Sequence, residues 1–171
     1  PCKPPDNLAD LIRRVRVEQQ AGDDLGERMA RTLQEKFHAG FTQVVLIGAD
    51  APNLPIDYLR QAFELLRDAE LVLGPAWDGG YYLLGARRLH PVLFQKMPWG
   101  TDKVFSITRQ RVKSSGISHA ELPRWYDVDT APDVERLWKD LQHMSAKRPT
   151  DLPWRTCALL ASLMPGRFRE R

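Results

Sequence analysis

The sequence predicts an α/β fold in which helices cover both faces of a mixed, doubly wound sheet, giving three layers. Helix-like and strand-like segments alternate along most of the 171 residues. The run TQVVLI, residues 42–47, is apolar almost throughout and lies between Gly40 and Gly48, as is typical of a strand buried on both faces. A tight-turn signal at residues 78–80 (DGG) separates two apolar runs and predicts an antiparallel hairpin. The sheet is therefore expected to be mixed.

The helices are predicted from apolar residues that recur every three or four positions. Asp24 and Glu27 have the spacing of a capping box at the start of one of them. Thr101 is expected to cap another, and Thr130 with Asp133 to cap the last regular one. The predicted helices are residues 7–14, 24–40, 55–66, 101–115, 130–141 and 154–164.

The strands complete the order β-α-β-α-β-β-α-β-α from residue 15 onward. We expect the strand at residues 42–47 to be central in the sheet, because it is apolar on both faces. The predicted strands are residues 15–19, 42–47, 70–73, 81–84 and 117–122. We expect residues 1–144 to form one domain and residues 145–171 to form a basic tail with a short docking helix.

Composition excludes several classes of protein. The net charge is +3, but six basic and two acidic residues lie from Ser145 onward, so a broad basic face for nucleic acid is not expected. No apolar run is long enough to span a bilayer, and the N-terminal residues do not resemble a secretory signal. Two distant cysteines, Cys2 and Cys157, favour a reducing, cytoplasmic setting. Self-association is left open.

Aspartates follow two of the predicted strands. Asp50 follows residues 42–47 after Gly48 and Ala49, and Asp127 and Asp129 project from the same side of an extended segment. Ligands of open α/β sheets bind outside the carboxyl ends of the strands. Two carboxylates held close together repel each other unless a cation lies between them, and Mg²⁺ or Mn²⁺ prefers carboxylates together with diphosphate oxygens. The three aspartates therefore predict a metal site for a phosphate-bearing substrate.

Simpler interpretations of the same aspartates stay open. Asp50 could be a turn residue, and Asp129 could merely help Thr130 to cap the next helix. The Asp-x-Asp pattern also occurs in haloacid dehalogenase-type phosphatases. That interpretation fails, because Thr130 directly follows Asp129, the pair lies late in the chain, and the preceding residues PRWY are not an apolar strand.

Further candidate residues lie in loops that could hold a diphosphate or an acceptor. Asp78-Gly79-Gly80-Tyr81 offers backbone amides without bulky side chains, although a plain hairpin turn is the simpler interpretation. Trp99-Gly100-Thr101-Asp102 begins a predicted helix, where amides can bind an anion or Thr101 can simply cap. Trp125 and Tyr126 could stack on a base or sugar, or belong to the core.

Five motifs in order resemble those of a bacterial family of glycosyltransferase-like proteins: QQAGDDLGERM, VVLIGADAPNLP, LVLGPAWDGGYYLLG, PWGTD and WYDVDTAPDVERL. The family has the GT-A, or nucleotide-diphospho-sugar transferase, fold, and its relatives include the molybdenum cofactor and phospholactate guanylyltransferases. The resemblance runs from about Gln19 to Leu141. It implies a metal-dependent transferase with a nucleotide-activated donor, in which a nucleotidyl transfer is the alternative to a glycosyl transfer.

The resemblance also assigns roles to individual residues. It implies Asp50, Asp127 and Asp129 as ligands of Mg²⁺ or Mn²⁺, with Asp50 and Asp129 acting in catalysis. The implied substrate and phosphate pocket consists of Asp78, Gly79, Gly80, Tyr81, Trp99 and Thr101. The implied nucleotide-side loop contains Gln20, Gly22, Asp24 and Gly26.

The family usually begins with a strand and a loop of the form Lys-x-Pro-x-x-Gly-x-x-Lys-Thr-Arg-Leu, which this sequence does not contain. We therefore expect the chain to lack the first strands of the fold. A second hypothesis follows, in which the chain is a binding protein that kept the acidic residues without catalysis.

Overall fold

The computed structural model describes residues 15–147 and 152–163. Its elements are α1 (Leu25–His38), β1 (Val44–Ile47), α2 (Ile56–Leu65), β2 (Leu71–Pro75), β3 (Tyr81–Ala86), a short 3-10 helix (Pro91–Leu93), α3 (Val104–Ser114), β4 (His119–Glu121), α4 (Ala131–Lys147) and α5 (Trp154–Leu163). The predicted α/β class is confirmed. The helix predicted at residues 7–14 lies outside the described residues.

The four strands form one mixed sheet in the order β1-β3-β2-β4. β3 is antiparallel to both β1 and β2, whereas β4 is parallel to β2. The predicted hairpin is therefore confirmed, because β2 and β3 are joined by the short turn that contains residues 78–80. β1, β2 and β4 consequently run in the same direction and end at the same edge of the sheet.

The strands lie between two helical layers within residues 20–127, which form one compact unit. Met29 and Leu33 of α1 share a buried cluster with Phe105 and Val112 of α3. Ala62, from α2, belongs to the cluster on the other face. This arrangement confirms the three predicted layers, since each face of the sheet buries apolar side chains against a helix.

The position of β1 differs from the prediction. It is an edge strand in the described sheet, not a central one, and Ile47 is 53% exposed. The apolar run did correctly indicate two covered faces: Val44 and Leu46 pack against the cluster of α1, and Val45 packs against that of α2. A strand can be covered by helices on both faces and still pair with a neighbouring strand on only one side. The hydrophobicity of its residues indicates the covered faces but not the number of neighbouring strands.

The strand predicted at residues 15–19 is wrong. Those residues have no strand partner in the described structure, and Val15 and Val17 are 52% and 71% exposed. Alternation of apolar residues over so short a segment does not itself provide a partner strand.

The start of α1 follows the predicted capping box with one difference. The Asp24 carboxylate accepts a hydrogen bond from the Glu27 backbone N–H at 2.8 Å. Glu27 in turn accepts from the N–H of Asp23, one residue before the cap, also at 2.8 Å. Two backbone donors that the helix cannot satisfy internally thus receive partners.

Thr101 does not cap a helix as predicted. α3 begins at Val104, with Lys103 at the N-cap position and no side-chain cap. The Thr101 hydroxyl instead donates to the backbone carbonyl of Pro98 at 2.8 Å, which closes the turn before the helix.

The described residues outside 20–127 belong to a second unit. Within it, Leu160 of α5 packs against Leu137 and Leu141 of α4. One half of the predicted cap of α4 is confirmed, since the Asp133 carboxylate accepts from the backbone N–H of Thr130; the Thr130 hydroxyl also donates to that carboxylate, and the N–H of Asp133 donates to the Thr130 carbonyl. The hydrogen bonds to its carboxylate lower the pKa of Asp133. The boundary predicted between residues 144 and 145 stays a prediction.

None of the helices within the described ranges is long and apolar enough to cross a membrane.

Candidate active site

The predicted site residues that lie within residues 20–127 are carried by loops, and several of these loops meet at one edge of the sheet. β1 and β2 end at this edge and β3 begins there, as the strand directions require. Three segments are thereby placed near one another: residues 48–53 after β1, residues 76–80 between β2 and β3, and residues 122–127 after β4. Ligands of α/β sheets bind at this edge.

Asp50 is exposed, and its carboxylate folds back over the preceding glycine. A Cβ atom placed on Gly48 would lie 2.5 Å from the Asp50 Oδ1 atom, so glycine leaves the room that the carboxylate occupies. The backbone N–H of Gly48 donates to the carbonyl of Tyr82 at 3.0 Å, which ties the start of this loop to β3. The carboxylate is thus presented to solvent from a fixed backbone.

Asn53 joins the Asp50 loop to the segment that precedes Asp127. Its side chain is 2% exposed, donates to the Tyr126 hydroxyl at 2.6 Å and accepts from the Trp125 indole N–H at 3.3 Å. Sequence reasoning missed this residue. The signal was weak, because an asparagine in the run APNLP is typical of a turn.

The hairpin turn is closed by its own backbone and by one carboxylate. The N–H of Ala76 donates to the carbonyl of Gly80 at 3.0 Å, and the N–H of Gly80 donates to Asp78 Oδ1 at 2.8 Å. The turn is also fixed to the neighbouring segment. The N–H of Trp77 donates to the carbonyl of Trp125 at 3.1 Å, and that of Trp125 donates to Pro75 at 3.1 Å.

Gly79 brings the hairpin turn onto the segment before α3. Its φ angle is +94°, and a Cβ atom on it would lie 2.5 Å from the Cα atom of Asp102. Its carbonyl accepts from the N–H of Phe105 at 2.8 Å. The predicted pocket residues Gly79, Gly80 and Thr101 therefore do lie in adjoining segments. A ligand role for them stays a prediction.

Trp99 is partly buried and packs against the core on the face that α1 covers, and the phosphate contact implied for it stays a prediction. Its ring lies against Gly26 of α1, where a Cβ atom would come within 2.5 Å of the indole, and it meets the Tyr81 ring edge to face at 6.4 Å. The indole N–H is buried and has no hydrogen-bond partner among the described residues. Burial raises the pKa of the Tyr81 hydroxyl above its ordinary value, so the hydroxyl is held still more firmly in its protonated form.

The predicted nucleotide-side loop has structural roles on its own. Asp24 caps α1, Gly26 accommodates Trp99, and the Gly22 carbonyl accepts from the Arg28 side chain at 3.1 Å. Gln20 is exposed. The nucleotide contact implied for these residues stays a prediction.

Five aromatic rings form a row across this edge of the sheet. The consecutive centroid distances are 5.9 Å for Trp77–Tyr126, 5.5 Å for Tyr126–Trp125, 5.5 Å for Trp125–Tyr58 and 6.3 Å for Tyr58–Tyr82. Tyr126 is only 4% exposed, whereas Trp77 is 53% exposed. Trp77, which sequence reasoning had not singled out, is the most exposed ring of this row.

The predicted metal centre has no support from the described geometry. Asp127 is half-buried at the end of the compact unit, and Asp129 belongs to the second unit. Across residues 15–147 and 152–163, no group of three or more His, Cys, Asp or Glu side chains lies close enough together to hold a metal ion. The Mg²⁺ or Mn²⁺ site at Asp50, Asp127 and Asp129 stays a prediction.

Two surface clefts lie near the other end of the sheet. One, of about 570 Å³, is lined by residues of α2 and by the start of β4. The other, of about 540 Å³, lies between the end of α1 and the residues after β3, including Arg87 and Arg88. Neither contains a residue that the sequence analysis assigned to the site. We therefore place the candidate active site where the three loops converge and not in either of these clefts.

Comparison with known proteins agrees with the fold. Residues 2–101 match a family described as "Uncharacterized protein conserved in bacteria (DUF2064)". The chain belongs to this family. The matched residues include Asp50 and the hairpin turn, whereas Asp127 and Asp129 lie beyond them. No curated protein matches the chain.

A solved structure is also similar to this member of the family. It is the crystal structure of a "putative nucleotide-diphospho-sugar transferase" from Desulfovibrio desulfuricans G20. The two share 30% sequence identity and superpose with a TM-score of 0.76, over 95% of this chain and 73% of the other. The fold is therefore that of a nucleotide-diphospho-sugar transferase, as the sequence motifs implied.

Proposed function

We propose that this chain is a transferase that takes a sugar from a nucleotide-diphospho-sugar at the edge of the sheet where β1 and β2 end. The observation that carries the proposal is the convergence there of the Asp50 loop, the Asp78–Gly80 turn and the segment before Asp127, held together by Asn53 and by backbone hydrogen bonds. Similarity to the "putative nucleotide-diphospho-sugar transferase" from Desulfovibrio desulfuricans G20 supports the choice of donor.

The proposed reaction needs no nucleophile from the protein. The hydroxyl oxygen of the acceptor attacks the anomeric carbon of the donor sugar, and the bond from that carbon to the diphosphate oxygen breaks. The nucleoside diphosphate leaves with the electron pair, and the proton of the acceptor hydroxyl passes to a carboxylate. Asp50 is our candidate for this base, because it is exposed beside backbone that is fixed to β3. One of its carboxylate oxygens would accept the proton and the other would hold the cation described next.

The Gly80 N–H already donates to Asp78 Oδ1, so the Gly79 amide is the one in this turn proposed to meet a diphosphate or acceptor. A divalent cation, Mg²⁺ or Mn²⁺, would supply charge stabilisation for the leaving diphosphate when bound. Asp50, Asp127 and Asp129 are the residues proposed to hold it, and their sequence pattern alone supports that part. Cytoplasmic location is likewise proposed from cysteine usage.

Titration calorimetry tests the proposal with UDP-glucose, GDP-mannose, GTP and CTP, each with and without Mn²⁺. We expect Mn²⁺-dependent binding of a nucleotide sugar. Asp50→Asn and Asp129→Ala should each weaken it at least about tenfold, because each removes a carboxylate that holds the cation. Asp68→Asn is the control, since Asp68 is an exposed carboxylate beyond the far end of α2.

Each other outcome has a definite meaning. If GTP or CTP binds and neither nucleotide sugar does, the result would indicate nucleotidyl transfer instead of sugar transfer. Equal binding by wild type and both variants would remove the assigned roles of Asp50 and Asp129. Binding of none of the four probes would contradict the proposed function.

A further inference from the structure

A surface cleft lies at the end of the sheet opposite the candidate active site, where β1 begins and β3 ends. It has a volume of about 540 Å³, within the range of about 300–1,000 Å³ that is usual for sites of small molecules. All of its walls belong to the compact unit of residues 20–127. We call it the arginine cleft, and its walls include Phe37, Phe41, Arg87, Arg88 and Leu89.

Phe41 presents an aromatic ring to this cleft from a fixed backbone. α1 ends in a Schellman motif, in which the N–H of Gly40 donates to the Phe37 carbonyl at 3.0 Å and that of Phe41 donates to the Lys36 carbonyl at 3.1 Å. An apolar residue at the position of Phe41 commonly packs back on the last turn of the helix. Phe41 is instead 59% exposed, and its ring has no aromatic or cationic contact within the described ranges of the chain. Its ring is therefore open to a ligand.

Apolar side chains also form the wall beside Phe41. Phe37 and Leu89 are partly buried and pack against the core that α1 covers. They contribute to the same cleft from α1 and from the segment after β3. A ring that lay on Phe41 would thus also meet apolar surface on a second side.

Arg87 brings a positive charge that no carboxylate neutralises among the residues that the structure describes. Its backbone N–H donates to the Glu70 carbonyl at 3.0 Å, and its Nη1 atom donates to the backbone carbonyl of Arg67 at 3.3 Å. Its Nε and Nη2 atoms have no hydrogen-bond partner in that part of the chain. These atoms carry N–H donors that can meet two oxygens of one acid group.

Arg88 adds a second guanidinium, held in place by an ion pair. Its Nη2 atom donates to both carboxylate oxygens of Glu70, at 2.7 Å and 2.8 Å. Two arginines and one glutamate leave a net charge of one positive unit, and none of the described residues that line the cleft is Asp or Glu. The arginine cleft therefore favours an anion over a cation.

An acid that carries a flat apolar ring combines the two properties that the cleft offers. A guanidinium binds carboxylate and phosphate groups through paired hydrogen bonds, and aromatic rings stack on one another or meet edge to face. A ring without the acid would leave Arg87 unused, and an acid without the ring would leave Phe41 exposed. Carboxylate and phosphate share the chemistry that Arg87 recognises.

We infer that the arginine cleft binds a small organic acid with a flat ring, whose acid group lies against Arg87 and Arg88 and whose ring packs on Phe41. This site is separate from the proposed transfer reaction, because none of the three loops of the candidate active site lines the cleft. The inference therefore does not depend on the proposed function.

The test uses five small probes and follows the backbone amide signals of the chain by NMR. Benzoate and phenyl phosphate carry both a ring and an acid, benzyl alcohol carries only the ring, and acetate and inorganic phosphate carry only the acid. We expect benzoate or phenyl phosphate to bind at least about tenfold more tightly than the other three probes. Signals of residues 37–42 and 87–89 should shift on binding. The tighter of the two acids identifies the head group.

Two variants test the assigned contacts, and two others serve as matched controls. Arg87→Gln and Phe41→Ala should each weaken the bound acid at least about fivefold, and both side chains are exposed, so we expect both variants to fold. Arg60→Gln and Phe63→Ala change an exposed arginine and an exposed phenylalanine of α2 that do not line the cleft. They should leave the affinity unchanged.

Four results would overturn the inference. They are no binding of either ring-bearing acid, equal binding of benzyl alcohol or of the ringless acids, unchanged affinity in both Arg87→Gln and Phe41→Ala, and shifts confined to residues 48–53 and 76–80. The last result would place the acids at the candidate active site. Failure of the proposed function would change none of these expected results, since no nucleotide sugar is among the probes.

Discussion

Replacing Gly79 with alanine is expected to destabilise residues 20–127 by more than about 3 kcal/mol. Two penalties act together. The φ angle of +94° is unfavourable for any residue with a Cβ atom, and that atom would lie 2.5 Å from the Cα and 2.6 Å from the carbonyl carbon of Asp102. Both contacts are to backbone, so the hairpin turn and the segment before α3 must separate. The N–H of Phe105 would then lose its acceptor, the Gly79 carbonyl.

Gly100→Ala provides the matched control. Gly100 has a φ angle of +77°, but no atom lies within 4 Å of the position of its Cβ atom. The variant carries the conformational penalty without the collision, and we expect a loss of only about 1 kcal/mol. Chemical denaturation of both variants measures the difference. Equal losses of stability would contradict the close contact between Gly79 and Asp102.

Replacing Asn53 with alanine is expected to lower the free energy of unfolding by about 2–4 kcal/mol. The variant loses the hydrogen bonds to the Tyr126 hydroxyl and to the Trp125 indole N–H, and leaves a space where the buried amide was. Removal of one partner from a buried hydrogen bond costs the desolvation of the other. The Asp50 loop should loosen together with the segment before Asp127.

Two variants separate this effect from a general cost of removing an amide. Tyr126→Phe removes one of the two hydrogen bonds and should cost about 1–2 kcal/mol, less than Asn53→Ala. Gln34→Ala removes an exposed amide from α1 and should change stability by less than about 0.5 kcal/mol. Urea denaturation gives all three values. A cost for Asn53→Ala as small as that for Gln34→Ala would show that the buried amide does not hold the two loops.

Local patterns predicted the elements whose causes are local. The capping residues Asp24 and Asp133, and the turn at Asp78-Gly79-Gly80, depend on neighbours within a few positions in the chain, and the structure confirms them. The apolar residues of β1 likewise indicated two covered faces. Its place at the edge of the sheet could not be predicted, because strand order depends on pairing between distant segments.

The organisation of the candidate site was only partly predictable for the same reason. Asn53 contacts residues 72 and 73 positions further along the chain, so its own neighbours in the sequence give no sign of the buried hydrogen bonds. Trp125 and Tyr126 drew attention as aromatic neighbours of an acidic motif. The fold buries Tyr126 and exposes Trp77, a distinction that hydrophobicity alone does not make.

The central claim is that a nucleotide-diphospho-sugar binds where β1 and β2 end, and hydrogen–deuterium exchange of the backbone amides tests it most directly. Exchange is followed with and without the nucleotide sugar that binds most tightly. We expect slower exchange in residues 48–53, 76–80 and 125–127, and no change in residues 61–69, which lie at the other end of the sheet. Protection confined to the clefts near Asp68 or Arg87, with none in the three loops, would contradict the account.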